Sequence, residues 1–327
     1  MGAGKAGGRG RKTRIKVAAL PGYVQLHKAG ELGRRANHGY ETLQHCTLCP
    51  RVCKVNRLAG ERGYCRAGVE PVVASWASHP WEEPPISGTN GSGTIFFTHC
   101  TARCMFCQNY PISQLGVGRQ VSVQGLAEMM LELQHRGCHN INLVTPTHFV
   151  PQTLAALSIA ASQGLCLPLV YNSSGYESVP TLQLLDGVVD IYLPDAKYAK
   201  DSIARHLSGF RGYVGANRAA LREMYRQVGH ELLVDEHGLA VRGLIIRHMI
   251  LPNQLAGTRQ VLSWIAEELS PLVHLSIMAQ YFPAHNALGH PVLGRKITNE
   301  EYLQALEAFD ALGLERGWRQ ELCDDQL

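Results

Sequence analysis

The sequence predicts an α/β protein, a partial (β/α)6 barrel preceded by an N-terminal cysteine-containing cap. Three observations predict it. From Gly93 to the carboxyl end, short β-type runs alternate with helical stretches, the pattern of repeated βα units. The strand-like run "LIIRHMIL" is apolar on both alternating faces, as parallel strands covered by helices are. Six such units are too few for a closed eightfold barrel, so the sheet is expected to stay open, with its site at the carboxyl ends of the strands.

Taken in order, "MGAGKAGGRGRKTRIK" is basic and glycine-rich and lacks the apolar core of a secretory signal, so residues 1–20 are expected to be a disordered basic tail. The stretch "YVQLHKAGELGRRANHGYETLQ" places Leu26, Leu32 and Leu43 among polar residues and reads as helical. With the first cysteine cluster it forms the cap, residues 21–92. Residues 66–92 carry Pro71, Pro80, Pro84 and Pro85 and are expected to be a connector without much regular structure. The barrel, residues 93–327, then pairs "TIFFTH" with "LAEMMLELQHRG", "INLVTP" with "TLAALSIAASQG" and "LPLVYN" with "TLQLLDG". It continues with "VVDIYLP" and "NRAALREMYRQVG", "GLIIRHMILP" and "VLSWIAEELS", and "HLSIMAQY" and "EYLQALEAFDALG". The segment "ELLVDEHGLAVRGLII" is expected to form a hairpin leading into the fifth strand.

Composition narrows the functional classes. With 45% hydrophobic and 18% charged residues, and no apolar run of membrane-spanning length, the chain reads as globular and free of membrane spans. A net charge of +4, part of it in the basic tail, gives no reason to expect a nucleic-acid partner. Seven of the ten cysteines fall in two tight clusters, which favours metal ligation over a disulfide scaffold and a reducing, cytoplasmic setting. Cys138, Cys166 and Cys323 are scattered. Glycines 88, 91 and 93 precede a strand instead of following one, which excludes a dinucleotide fingerprint.

In "FFTHCTARCMFCQNYPIS", Cys100, Cys104 and Cys107 follow the first strand of the barrel with spacings of three and two residues and no fourth thiol. Closely spaced cysteines hold iron–sulfur clusters, and a four-iron cluster with three protein ligands keeps one iron open. Zinc prefers four ligands and paired CxxC motifs. The Cys-x3-Cys-x2-Cys spacing, with Phe106 before the last cysteine, resembles the radical S-adenosylmethionine (radical SAM) superfamily. Within it, "CMFCQNYPIS", "YNSSGY", "YLPDAKY" and "GLIIRHMILPN" resemble the pyruvate formate-lyase activating enzymes. Together with "CTLCPRVCKVNR", "EEPPISGTNGSGTIFF" and "NLVTPTHFVPQ" they are closest to the widely distributed homologues of these enzymes whose substrate is unassigned.

The resemblance implies an oxidoreductase-type enzyme in which a 4Fe-4S cluster on Cys100, Cys104 and Cys107 binds S-adenosyl-L-methionine at its open iron. Reductive cleavage then releases a 5′-deoxyadenosyl radical. It implies that Asn109 follows the cluster loop, that Asp195 and Lys197 in "PDAKY" form the family's D-x-K, and that Arg247 meets the methionyl carboxylate. Asn172 stands where activating enzymes carry an aspartate of a cation site. The family's glycine-glycine-glutamate sequence after the second strand is replaced by Thr145, Pro146, Thr147 and His148, and His148 is a candidate proton or hydrogen-bond donor. Gln280, Tyr281 and His285 fall near a family histidine of the active site. A flavodoxin- or ferredoxin-type reductant is implied as partner.

The second cluster, Cys46, Cys49, Cys53 and Cys65, completes a set of four ligands, suiting either zinc or a second iron–sulfur cluster, with Arg51, Lys54, Arg57, Arg62 and Arg66 around it. Glu82 and Glu83 are expected either to line a substrate mouth or, more commonly for such a pair, to be an exposed acidic turn. The resulting function is radical chemistry, with glycyl radical formation on a partner protein as first expectation. The rivals are radical modification of a small molecule, a nucleic-acid base or another protein side chain, and a non-catalytic iron–sulfur or zinc binding module.

Overall fold

A computed structural model describes residues 20–322. The expected basic tail, apart from Leu20, and Cys323 lie outside the described residues. Helices α1 (Gly22–Lys28) and α2 (Glu31–Glu41) part at Ala29 and the left-handed Gly30. An irregular segment carrying the first four cysteines leads to β1 (Val72–His79) and the single turn α3 (Pro84–Ser87). There follow β2 (Ser92–Phe97), α4 (Tyr110–Ser113), β3 (Arg119–Gln120), α5 (Val123–His135), β4 (Ile141–Val144), α6 (Val150–Ser162), β5 (Leu169–Ser173) and α7 (Val179–Leu184). The chain continues through β6 (Ile191–Pro194), α8 (Asp201–Ser208), α9 (Tyr213–Val228), β7 (Leu233–Val234), β8 (Ala240–Met249), α10 (Thr258–Glu268), β9 (His274–Met278), α11 (Asn299–Ala311) and β10 (Gly317–Arg319).

The strands β2, β4, β5, β6, β8 and β9 lie side by side in chain order, each parallel to the next. Short β10 extends this array beyond β9, and antiparallel β1 and β3 extend it beyond β2. The end strands β3 and β10 are not neighbours in the sheet, so the barrel is open, as expected. β7 pairs antiparallel with the start of β8, the expected hairpin.

Strand β1 corrects the expectation of an irregular connector. Pro71 and Pro80 stand at its two ends rather than inside it, and "VVASWASH" pairs Trp76 with Ile95 and Ala77 with Thr94.

The register sorts the parallel strands into two faces. Ile95, Leu143, Tyr171, Tyr192, Leu244, Ile246 and Leu275 lie in one buried cluster with Leu126 and Met130 of α5, Leu157 of α6 and Leu262 of α10. Their alternates Val170, Ile191, Leu193 and Ile245 form a second cluster with Ile86, Leu232, Val234 and Ala240, which closes the amino-terminal end of the barrel interior. Burial on both faces is the physical reason these strands read as continuous apolar runs.

The amino-terminal helices dock on this body. Gly39 of α2 packs on Pro151 of α6, where an added Cβ would come within 3.0 Å of the ring. Tyr23 is fully buried, its hydroxyl donating to the Leu167 carbonyl at 2.8 Å. Asp190 ties α1 to the sheet, accepting from Gly22 N at 3.3 Å and Leu169 N at 2.9 Å. Burial pushes the Asp190 carboxyl up to about 7, against the pull of those two backbone donors.

An unfolded aspartate titrates near pH 4, so between about pH 4 and 7 the folded chain keeps a proton that the unfolded chain has released. Stability from this group therefore falls as pH rises through that window, by about 1.4 kcal/mol per unit. Asp190→Asn is expected to shrink the loss of melting temperature between pH 5 and pH 7.5. An unchanged loss in the variant would assign the slope to other groups.

Candidate functional site

The loop after β2 is built to present thiols. His99 adopts a left-handed conformation (φ 66°) that turns the chain out of the strand. The Arg103 and Met105 amides bond the Ser208 and Leu207 carbonyls at 2.9 Å each, fastening the loop to the end of α8. Cys107 N donates to the Cys104 carbonyl at 3.2 Å, closing the two-residue spacing into a turn. Phe106 is buried edge-on against Tyr281, ring centres 5.7 Å apart, which leaves the flanking cysteines to face elsewhere.

All three cysteines are free and half-buried. Burial pushes the Cys100 thiol up to about 12 and the Cys104 thiol to about 11, in each case opposed by the nearby Lys197 ammonium. Such thiols stay protonated at neutral pH unless a metal displaces the proton, and a cation beside them favours the thiolates that metal binding requires.

Lys197 belongs to a polar constellation on the inner face at the carboxyl ends of β5, β6 and β8. Asp195 follows β6 and bridges to Arg247 of β8 in the sheet register. The Asp195 carboxylate accepts from Lys197 Nζ at 2.5 Å and from Arg247 Nε at 3.1 Å. Arg247 Nη2 donates to Asn172 Oδ1 at 2.6 Å, and Nη1 lies 3.4 Å from Glu82 Oε2. Asn142 Nδ2 donates to Glu82 Oε1 at 3.1 Å.

Burial alone would raise the Asp195 carboxyl, but Lys197 and Arg247 outweigh it and hold the carboxyl below its usual range. Burial works against both cations, yet Asp195 keeps Lys197 and Arg247 firmly charged. The arrangement is a desolvated ion network in which each charge depends on the others.

Glu82 and Glu83 are not an exposed turn. Because β1 runs antiparallel, it delivers the connector to the amino-terminal end of the barrel, and α3 plugs that end through Ile86. The two carboxylates thus enter the interior: Glu82 reaches Arg247 and Asn142, and Glu83 is only 9% exposed. Burial pushes the Glu83 carboxyl up, Arg247 offsets it in part, and Oε2 has no hydrogen-bond partner among the described residues.

The structure therefore brings together Cys100, Cys104, Lys197, Asp195, Arg247 and Asn172, and adds Glu82, Glu83 and Asn142. Polar Asn142 within the otherwise apolar "INLV" was the available signal for an inward polar position. Asn109 is exposed at the start of α4, where its carbonyl accepts from Ile112 N at 3.1 Å and Ser113 N at 2.9 Å. Tyr281 is buried with its hydroxyl on the Leu293 carbonyl, and His285 stacks on Tyr110 at 4.5 Å.

His148 does not have the surroundings of a proton donor. Its Nε2 lies 2.8 Å from the Thr98 carbonyl, and burial pushes its pKa down to about 3. The ring is neutral at physiological pH and Nε2 must carry the proton to make that bond, so it acts as a clamp between two loops. Where the resembled family has its glutamate, Thr147 Oγ1 instead donates to buried Glu177 from the loop after β5 at 2.7 Å.

The four-cysteine segment wraps tightly. Lys54 N donates to the Cys46 carbonyl at 3.1 Å and Val52 N to the Cys49 carbonyl at 3.1 Å, with Val52 (φ 43°) and Lys54 (φ 57°) left-handed. Such strain at a β-branched residue is tolerated where the fold over-determines it. Cys53 presses on Gly63, where a Cβ would come within 2.6 Å of its sulfur. Burial raises the Cys65 thiol, and Cys46 and Cys53 lie near enough to add to the effect. Arg57, almost fully buried, donates to the His148 carbonyl at 2.8 Å and to the Gly68 carbonyl, pinning the segment to the loop after β4. Among the described residues no three His, Cys, Asp or Glu side chains are gathered tightly enough to hold a single metal ion. No helix among them is long and apolar enough to cross a membrane.

No protein-family model matches the chain. Among solved structures, TYW1 with a lysine-pyruvate adduct bound is similar at 11% identity and a TM-score of 0.42, over 67% of this chain and 73% of that one. The FeFe-hydrogenase maturase HydG from Carboxydothermus hydrogenoformans is similar at 11% identity and a TM-score of 0.46, over 70% of this chain and 53% of that one. Methylornithine synthase (PylB) is similar at 12% identity and a TM-score of 0.44, over 93% of this chain and 83% of that one. In sequence, the uncharacterized protein MJ0674 of Methanocaldococcus jannaschii is 31% identical over 281 residues, 83% of this chain and 76% of that protein, and the chain belongs to its family.

Proposed function

We propose that the chain is a radical SAM enzyme, in which Cys100, Cys104 and Cys107 hold a 4Fe-4S cluster and the adjoining polar bowl holds S-adenosylmethionine. The observation that carries this reading is the approach of a three-thiol loop to the Asp195–Lys197–Arg247 network at the strand ends. The donor set fits: three free thiols and no fourth in the loop, beside two half-buried cations. When bound, the cluster supplies one electron to the sulfonium, breaking a C–S bond to give methionine and a 5′-deoxyadenosyl radical.

The residues of the chain bind and orient. Arg247 presents a planar fork and Lys197 a point charge, suited to a carboxylate such as that of the methionyl group. Asp195 holds both cations in place and Asn172 fixes the far nitrogen of the fork. The buried apolar cluster around Ile191, Leu193 and Ile245 lines the interior on the amino-terminal side of this network. A flavodoxin- or ferredoxin-type protein is the proposed reductant.

The finer form of the proposal is hydrogen abstraction from a glycine of a partner protein, as the resemblance to activating enzymes implies. Anaerobic protein loaded with iron and sulfide, given dithionite and S-adenosylmethionine, is expected to form 5′-deoxyadenosine and methionine. No product from fully loaded protein, with or without candidate substrates, would overturn the reading. Deuterium passing from an α-deuterated glycyl radical enzyme into 5′-deoxyadenosine supports the finer form, and transfer from another substrate class instead replaces it.

A further inference from the structure

We propose that Cys46, Cys49, Cys53 and Cys65 hold a second, fully ligated iron–sulfur cluster that feeds electrons to the three-thiol site through two short bridges. The wiring rests on the reading of Cys100, Cys104 and Cys107 as cluster ligands; the second cluster itself does not.

The two cysteine segments are far apart in sequence and interlocked in space. In the first bridge, Arg51, two residues after Cys49, donates from Nε to the Thr101 carbonyl at 2.6 Å, and Thr101 adjoins Cys100. In the second, Arg103, which adjoins Cys104, donates from Nη2 to the carbonyl of Tyr64 at 3.3 Å, and Tyr64 adjoins Cys65. Each bridge therefore runs from the backbone beside a thiol of one cluster to the backbone beside a thiol of the other, through one arginine side chain and one hydrogen bond. The Tyr64 ring lies against both cations, with the Arg51 guanidinium 3.3 Å and that of Arg103 4.6 Å from its centre. Gly209 makes room for this stack, because a Cβ there would come within 2.5 Å of the Tyr64 hydroxyl, and its carbonyl takes a second bond from Arg51 at 2.8 Å.

A structural staple has no need of two independent contacts that each end beside a ligand of the other cluster. The thiol arrangement points the same way. Zinc draws four sulfurs onto one ion, whereas a cuboid cluster takes each thiolate on a separate iron and keeps the sulfurs apart. The four cysteines are near enough to perturb one another, and among the described residues no three of them gather onto one metal ion. In the step proposed, an external low-potential one-electron donor reduces the four-thiolate cluster. That cluster then returns to its oxidised state as the three-thiolate cluster gains the same electron.

The test uses the full chain with Cys100, Cys104 and Cys107 all changed to alanine, reconstituted anaerobically with iron, sulfide and zinc offered together. The expected result is retention of about four irons and four sulfides per chain, against about eight of each in the wild type, with an electron paramagnetic resonance signal after dithionite. Binding of zinc without iron, or of neither, overturns the proposal. Wild type that carries only the cluster retained by this variant would instead overturn the reading of the three-thiol site and leave the second cluster standing.

The wiring is read separately with Arg51→Met, which keeps all seven thiols. Its expected result is full iron content, normal reduction of both clusters by dithionite, and a slower fast phase when reduced flavodoxin is the donor, the Arg103–Tyr64 bridge remaining. Unchanged reduction by flavodoxin would remove the relay.

Discussion

Cys104→Ala is expected to abolish reductive cleavage of S-adenosylmethionine, taking 5′-deoxyadenosine down to the level of iron-free protein, while leaving the fold intact. The loss is expected to be complete because a cluster with three protein ligands has none to spare: removing one leaves two thiols for four irons. The fold survives because the loop is held by its backbone. The Arg103 and Met105 amides stay on α8, Gln114 Nε2 still donates to the residue-104 carbonyl at 2.8 Å, and Phe106 remains packed on Tyr281. Replacing a half-buried thiol by a methyl group costs on the order of 1 kcal/mol.

The control is Cys138→Ala. That thiol is buried outside both clusters, beneath Gly93 at the start of β2, and its removal is expected to leave product formation unchanged. Measurement of 5′-deoxyadenosine, iron and the far-ultraviolet spectrum in both variants separates the chemistry from the fold. Full product from Cys104→Ala would sink the assignment of this thiol as a ligand.

The six parallel strands were legible because burial on both faces writes itself into sequence as an apolar run. Strand β1 was not, because it lies near an end of the sheet with one side half open, and its two bounding prolines looked like those of a loop. The three-thiol loop was legible for a related reason: its cysteines come from one stretch of chain, so spacing alone records it. Its surroundings were legible only in part. Asp195 and Lys197 sit two residues apart, but Glu82 meets Arg247 across 165 positions, and only the antiparallel course of β1 places it there. Arg51 and Arg57 read only as cations around the four thiols. Their partners are backbone carbonyls of Thr101, Gly209, Gly68 and His148, which carry no side-chain signature in any sequence.

Arg247→Met is expected to lose S-adenosylmethionine binding and to invert the local response to pH. In the wild type, Asp195 is held below its ordinary range, so its contribution to stability is present above about pH 4 and lost as pH falls through its folded value. Removing the guanidinium leaves Asp195 with Lys197, breaks the ion pair to Glu82, and removes the main offset to the burial of Glu83. Breaking one partner out of a buried network of this kind costs about 3–5 kcal/mol, since uncompensated charge stays behind. The Glu83 carboxyl, already raised by burial, then loses that offset and is raised further, so the variant gains stability as pH falls and this group takes up a proton. Melting temperatures at pH 5 and pH 8 are therefore expected to show a deficit that is largest at pH 8, with Arg247→Lys recovering charge but not the contact to Asn172. Equilibrium dialysis with S-adenosylmethionine reads the binding loss in the same proteins. Equal melting temperatures at both pH values together with retained binding would show that Arg247 neither balances these carboxylates nor meets the ligand.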